Sequence, residues 1–171
     1  CPKGDLGWIS NTTTDYDTDG CQDNSSEDTD DDNDSITDSS DQCSTGDINW
    51  ISNSSTDYDT DGCQDSNEDT DDDNDSVSDS SDDCQKGDLG WTSSSITDHD
   101  SDGCQDSNED TDDDNDSVSD SSDDCQKGDL GWTSSSITDY DSDGCRDNEI
   151  EDPDDDNDSV LDSSDDCQTG D

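Results

Sequence analysis

Three aspartates on alternate residues, a tight-turn residue and two further acids recur along this chain at fixed offsets. In one copy they are Asp57, Asp59, Asp61, Gly62, Asp65 and Glu68, at positions 1, 3, 5, 6, 9 and 12 of a turn. Acids spaced in this way direct carboxylate oxygens to one side of a bend, and the glycine admits the bend at low cost. The backbone carbonyl of position 7, Cys63, adds a further oxygen. Oxygen-only ligand sets of this kind suit a hard divalent cation.

The same spacing wraps Ca²⁺ in EF-hand loops. The third copy repeats it with Asp98, Asp100, Asp102, Cys104, Asp106 and Glu109. Copies one and four keep Asp15, Asp17, Asp19, Cys21, Asp23 and Asp139, Asp141, Asp143, Cys145, Asp147, with one extra residue before Glu27 and Glu151. A second set follows at once in every copy. Its members are Asp30, Asp32, Asp34, Ile36, Asp38, Asp41; then Asp71, Asp73, Asp75, Val77, Asp79, Asp82; then Asp112, Asp114, Asp116, Val118, Asp120, Asp123; and Asp154, Asp156, Asp158, Val160, Asp162, Asp165. In this second loop the sixth position is Ser35, Ser76, Ser117 or Ser159, which must accept a backbone shape that glycine adopts more cheaply. Eight loops in register predict about two Ca²⁺ per copy, about eight in all. Mg²⁺ fits less well, because its small octahedral shell tends to keep its waters. A solvated acidic run would explain the composition but not the fixed positions of Gly and Asp.

The elements that position these loops are themselves repeated. The chain has 171 residues and nine cysteines, at 1, 21, 43, 63, 84, 104, 125, 145 and 167. The unit is therefore 41 or 42 residues long: repeat 1 over 1–42, repeat 2 over 43–83, repeat 3 over 84–124 and repeat 4 over 125–166. Residues 167–171 copy the start of another unit, so a window cut from a longer chain is expected. The interval of 20 between the first two cysteines of a unit never changes, whereas the next one takes an extra residue twice. That constancy favours disulfides Cys1–Cys21, Cys43–Cys63, Cys84–Cys104 and Cys125–Cys145. The register that begins at Cys21–Cys43 stays open. No Cys-x-x-Cys pair occurs and the lone His99 stands where other copies have Tyr16, Tyr58 and Tyr140, which argues against zinc. Paired cysteines predict an oxidising setting, extracellular or at the cell surface.

Composition excludes the ordinary route to a fold. There are 57 acidic residues against 4 Lys and Arg, a formal charge of −53, and only 18% of residues are hydrophobic. Numbers of this kind belong to disordered chains unless something other than an oily core holds them. A basic patch for nucleic acid is lacking, and an anionic membrane surface would be repelled. No apolar run approaches the roughly 20 residues needed to span a bilayer. Most apolar residues fall in the first half of each unit: Leu6, Trp8 and Ile9; Ile48, Trp50 and Ile51; Leu89, Trp91 and Ile96; Leu130, Trp132 and Ile137. The isoleucine moves between two slots, Ile9 and Ile51 or Ile96 and Ile137, which suggests one small pocket beside each Trp, with drift in a solvated loop as the alternative. Neither a helical period nor sustained alternation is present, so turns and extended segments should dominate.

The stretches "DDDNDSVSDSSDDC" at Asp71 to Cys84 and "DYDTDGCQD" at Asp57 to Asp65 resemble thrombospondin type 3 repeats. The segment from Cys1 to Cys21 is similar to the type 3-like linkers of bacterial and archaeal surface proteins. The resemblance covers all four units. It implies little helix or sheet, an organisation by metal and disulfides, and an extracellular adhesive or structural role.

Asn-x-Ser/Thr sequons occur at Asn11, Asn24 and Asn53, and at Asn33, Asn74, Asn115 and Asn157, each of the latter at position 4 of a second loop. A side chain at that position is expected to point away from the metal and so to leave room for an N-linked glycan. The leading functional expectation is an elongated tandem-repeat rod of turns and Ca²⁺ loops, stapled by disulfides, that forms a stalk, fibre or filament, either from one chain or from copies joined end to end. Competing expectations are a binding module presenting Trp, Tyr or glycans, and an acidic protein that stores calcium or nucleates mineral. Enzyme chemistry is the least expected. Near-identical copies offer no asymmetric pocket in which an acid and a base hold different environments.

Overall fold

The computed structural model describes every residue except Pro2, Lys3, Glu149 and Asp171. Among the described residues there is no helix and no strand. Regular pairing is confined to isolated bridges of Asp152 with Asp147 and Asn148. Among the described residues no helix is long and apolar enough to cross a membrane. The chain divides into two units, Cys1–Ser81 and Asp82–Asp171.

Turns replace regular elements because the acidic segments bond their backbone locally. In each first loop the amide of position 9 donates to the carbonyl of the threonine before position 1: Asp23 to Thr14, Asp65 to Thr56, Asp106 to Thr97 and Asp147 to Thr138, at 2.9–3.3 Å. The second loops close in the same way, from Asp38 to Thr29, Asp79 to Thr70, Asp120 to Thr111 and Asp162 to Pro153, at 2.9–3.0 Å. Position 6 has left-handed backbone in both kinds of loop, whether it is Gly62 (φ +91°) or Ser76 (φ 83°). Serine therefore does adopt the glycine-like shape. Position 4 is left-handed too, at Thr60 (φ 66°) and Asn74 (φ 55°).

Within each unit, one loop is tied to the next. Gln42 N donates to Asp61 O at 2.8 Å and Ser52 N to Asp34 O at 2.8 Å; Asp124 N to Asp143 O and Ser134 N to Asp116 O match them. The glycine of the first loop is also packed tightly. A Cβ on Gly62 would lie 2.2 Å from Asp41 Oδ1, and one on Gly144 equally close to Asp123 Oδ1.

Four disulfides join Cys1 to Cys21, Cys43 to Cys63, Cys84 to Cys104 and Cys125 to Cys145, with Cα atoms 5.0–5.1 Å apart. The constant interval thus marks the bridges, and the register starting at Cys21–Cys43 is not the one formed. Cys21, Cys63, Cys104 and Cys145 are buried, whereas Cys167 is exposed.

What lies inside is the reverse of an oily core. The most deeply buried side chains are Asp15, Asp32, Asp34, Asp57, Asp75, Asp98, Asp114, Asp116 and Asp139. The apolar residues lie outside: Leu6 is 98% exposed, Ile9 80% and Ile96 83%. The pocket beside Trp inferred from the moving isoleucine does not form, since both slots face solvent. The tryptophans are only half-buried, and nothing apolar is numerous enough to cover them.

Candidate metal centres

Positions 1, 3 and 5 of the loops converge. Oxygens of Asp15, Asp17 and Asp19 lie within 4.8 Å of one another, as do those of Asp30, Asp32 and Asp34, and of Asp57, Asp59 and Asp61. Each loop holds them through short Asx turns. The position-5 carboxylate accepts from the amide of position 7, for example Ile36 N to Asp34 Oδ1 and Val118 N to Asp116 Oδ1, both 2.6 Å. The position-1 carboxylate of each second loop accepts from the position-6 serine amide: Ser35 N to Asp30 at 3.2 Å, Ser117 N to Asp112 at 3.1 Å and Ser159 N to Asp154 at 3.0 Å. One oxygen per acid is thereby fixed by the backbone. The other is often buried with no donor, as for Asp34 Oδ2, Asp116 Oδ2, Asp30 Oδ1, Asp41 Oδ2 and Asp123 Oδ2.

A buried carboxylate oxygen without a donor is costly, and several together are costlier still. The acidities register this. Burial pushes Asp41 and Asp123 up to about 7, and their backbone bonds from Cys43 and Cys125 only partly oppose it; neighbouring Asp32, Asp34 and Asp30, or Asp114, Asp116 and Asp112, raise them further. Burial and nearby acids likewise hold Asp34 and Asp116 at about 6 and Asp100 at about 7. Asp41 and Asp123, at position 12 of their second loops, thus lie near the acids at positions 1, 3 and 5. Asp71, Asp73, Asp75 and Asp79 lie in the first unit of the chain and Asp82 in the second.

The first loop differs from expectation at its closing acid. Glu68 is turned to the backbone, accepting from Asp47 N at 2.8 Å and Gln64 N at 3.1 Å, and Glu27 accepts from Asp5 N and Gln22 N. Glu109 and Glu151 accept from Asp88 N and Asp129 N at 2.7 and 2.6 Å. These glutamates brace the Gly-Asp turn at the start of their unit. The acid that faces the first-loop cluster is the next residue. Asp28 comes within 4.8 Å of Asp19. Burial raises Asp28, Asp69, Asp110 and Asp152, opposed in part by backbone donors and reinforced by Asp19, Asp61, Asp102 and Asp143 respectively. Sequence reasoning passed over these four because the twelve-residue template ends one residue short of Asp69 and Asp110 and two short of Asp28 and Asp152. The signal that could have found them is their invariance: an Asp follows Glu27, Glu68, Glu109 and Glu151 in every copy, whatever the insertion before it.

Position 9 also has a positioning role. Asp65 accepts from Tyr58 N and Asp106 from His99 N, both at 3.0 Å, and Asp38 from Asp31 N at 2.9 Å, which pins position 9 beneath position 2. The serines five residues before each first loop were also missed. Ser52 Oγ and Ser134 Oγ donate to Asp57 and Asp139 at 2.5 Å, and Ser10 and Ser93 do the same to Asp15 and Asp98.

The asparagines at position 4 of the second loop do not point away. Nδ2 of Asn74 donates to Asp59 and, at 3.0 Å, to Asp61; Asn115 bonds Asp100 and Asp102, Asn157 bonds Asp141 and Asp143, and Asn33 bonds Asp17. The nitrogen a glycan would occupy instead joins the two loops of one repeat. Asn11 and Asn53 spend theirs on the carbonyls of Ile9 and Ile51, at 2.9 Å. Asn24 is exposed.

No family model matches the chain, and the search of curated proteins returns no match.

Proposed function

We propose that this is an extracellular structural protein, a repeat rod in which Ca²⁺ stands where apolar side chains stand in other proteins, and which serves as a stalk, fibre or filament. The observation that carries this reading is the buried set: aspartates such as Asp34 and Asp116, with no accessible surface and one oxygen that meets no donor. The ligands assigned are positions 1, 3 and 5 of each loop with the carbonyl of position 7. Asp41, Asp123 and Asp165 close the second loops of repeats 1, 3 and 4, and Asp28, Asp69, Asp110 and Asp152 close the first loops. A bound ion supplies the positive charge that lets these acids share a small volume. The disulfides support a setting outside the reducing cytosol, and the type 3-like spacing supports the extended form.

The exposed Leu6, Ile9, Ile96 and Ile137 favour a second role, as an adhesive surface along such a rod. X-ray scattering in calcium and in chelator tests the structural reading. A thin, stiff particle in calcium that loosens in chelator is the predicted result. Scattering from a flexible coil in both conditions overturns it and leaves calcium storage as the better account.

A further inference from the structure

Repeats 1 and 3 each bring together a trio of acids drawn from both loops: position 9 and the closing acid of the first, and position 2 of the second. In repeat 1 oxygens of Asp23, Asp28 and Asp31 lie within 4.8 Å of one another. Asp28 is 8% exposed, and its Oδ2 is buried without a hydrogen-bond partner, as is Asp31 Oδ1. The remaining contacts only orient the group: Asp28 Oδ1 accepts from Asp30 N at 3.3 Å, and the Asp23 carboxylate accepts from Tyr16 N at 3.1 and 3.3 Å. Among the described residues, no donor lies between these three acids.

The equivalent trio in repeat 3 is Asp106, Asp110 and Asp113, and there a cation is present. The ammonium of Lys127 bonds Asp106 Oδ2 and lies 3.5 Å from Asp113 Oδ2. Lys127 is the third residue of the next unit, Cys125-Gln126-Lys127-Gly128. The unit after repeat 1 begins Cys43-Ser44-Thr45-Gly46, so the residue in that place is Thr45. The two backbones are held alike, since Gly128 N donates to Asp114 Oδ2 at 2.8 Å and Gly46 N to Asp32 Oδ2 at 2.9 Å. Repeat 3 answers its trio with a side-chain cation, and repeat 1 places an uncharged threonine in the same position.

We propose that Asp23, Asp28 and Asp31 form a third cation site, taking a hard divalent ion such as Ca²⁺, and that Lys127 replaces that ion in repeat 3. Three carboxylates with no nitrogen or sulfur ligand select a hard cation. Two positive charges balance the trio better than one. Asp28 serves both this site and the first loop, because it also lies within 4.8 Å of Asp19.

The test is the number of calcium ions held by the whole disulfide-intact chain, counted by native mass spectrometry in calcium alone. Thr45→Lys is expected to hold one ion fewer than the parent and Lys127→Thr one more. A gain of one ion cannot come from misfolding, so the second variant guards the first. Unchanged counts in both variants overturn the site. That result with the parent still holding about eight ions leaves the loop reading in place. A parent that holds few ions, yet loses one with Thr45→Lys and gains one with Lys127→Thr, retains this site and removes the loops.

Discussion

At the residue scale, the twelfth position separates what the spacing showed from what it could not. Asp41 and Asp123 stand at position 12 of the second loops, near the acids at positions 1, 3 and 5, and are proposed to close those loops. Glu68 and Glu109 were assigned by the same template and yet serve the backbone, since the longer side chain reaches past the cluster to the amides of Asp47 and Asp88. Glu109→Gln should therefore keep the calcium count and cost about 1 kcal/mol of stability, the worth of a weakened charged hydrogen bond. Asp110→Asn should weaken the first-loop site at least tenfold, about 1.4 kcal/mol. Calorimetric titration of the two variants separates them, and the opposite ranking would restore glutamate as the ligand.

Acidity gives a second residue-scale expectation. Without cations Asp41, Asp100 and Asp123 titrate near 7, above the ordinary carboxylate range, so the folded chain binds more protons than the unfolded one. Stability of the cation-free fold is then greatest below about pH 4 and falls as pH rises towards 7. Calcium reverses the sign, because it must displace those protons. Its apparent affinity should rise between pH 5 and 8, and binding at pH 6 should release protons. Calorimetry in buffers of different ionisation enthalpy measures that release.

At the scale of the loop, the sequence was legible where backbone chemistry is local. Alternate acids with a turn residue at position 6 mark each loop, and the constant cysteine interval marks each bridge. The cross-loop bonds of Asn74 and Asn115 were not legible, for they join residues 13 to 15 apart through side-chain directions that no short motif records. The isoleucine pattern misled for a related reason, since an apolar residue moving between slots looks alike whether it packs or is merely tolerated. Glycine and serine at position 6 should respond in opposite ways to substitution. Gly62→Ala places a methyl group against Asp41 in left-handed backbone and should cost about 1–3 kcal/mol. Ser117→Gly relieves about 1–2 kcal/mol of that backbone strain and loses about 0.4–1 to unfolded-chain entropy, so it should stabilise by about 0.5 kcal/mol. Denaturant unfolding in calcium reads both. Removing one bridge by Cys84→Ser with Cys104→Ser should cost about 3 kcal/mol in the same assay, as expected for a closed span of about 20 residues.

At the scale of the whole molecule, charge decides whether the chain folds. A formal charge of −53 spread over 171 residues opposes any compact state, and 18% hydrophobic content cannot offset it. On the proposed reading, eight divalent ions would bring the total to about −37, and would do so where the repulsion is greatest, inside the aspartate turns. Each proposed site, at 10 to 100 times its Kd, would contribute about 1.4 to 2.7 kcal/mol, so the loops together would match what a modest apolar core provides. Composition alone therefore reads as disorder, and only the register of the acids reads as a fold. The most direct measurement is a calcium titration of the chelator-stripped, disulfide-intact chain, followed by calorimetry and circular dichroism together. The account predicts at least two ions per repeat, with a cooperative spectral change that chelator reverses. Weak, non-saturating binding with an unchanged spectrum would contradict it.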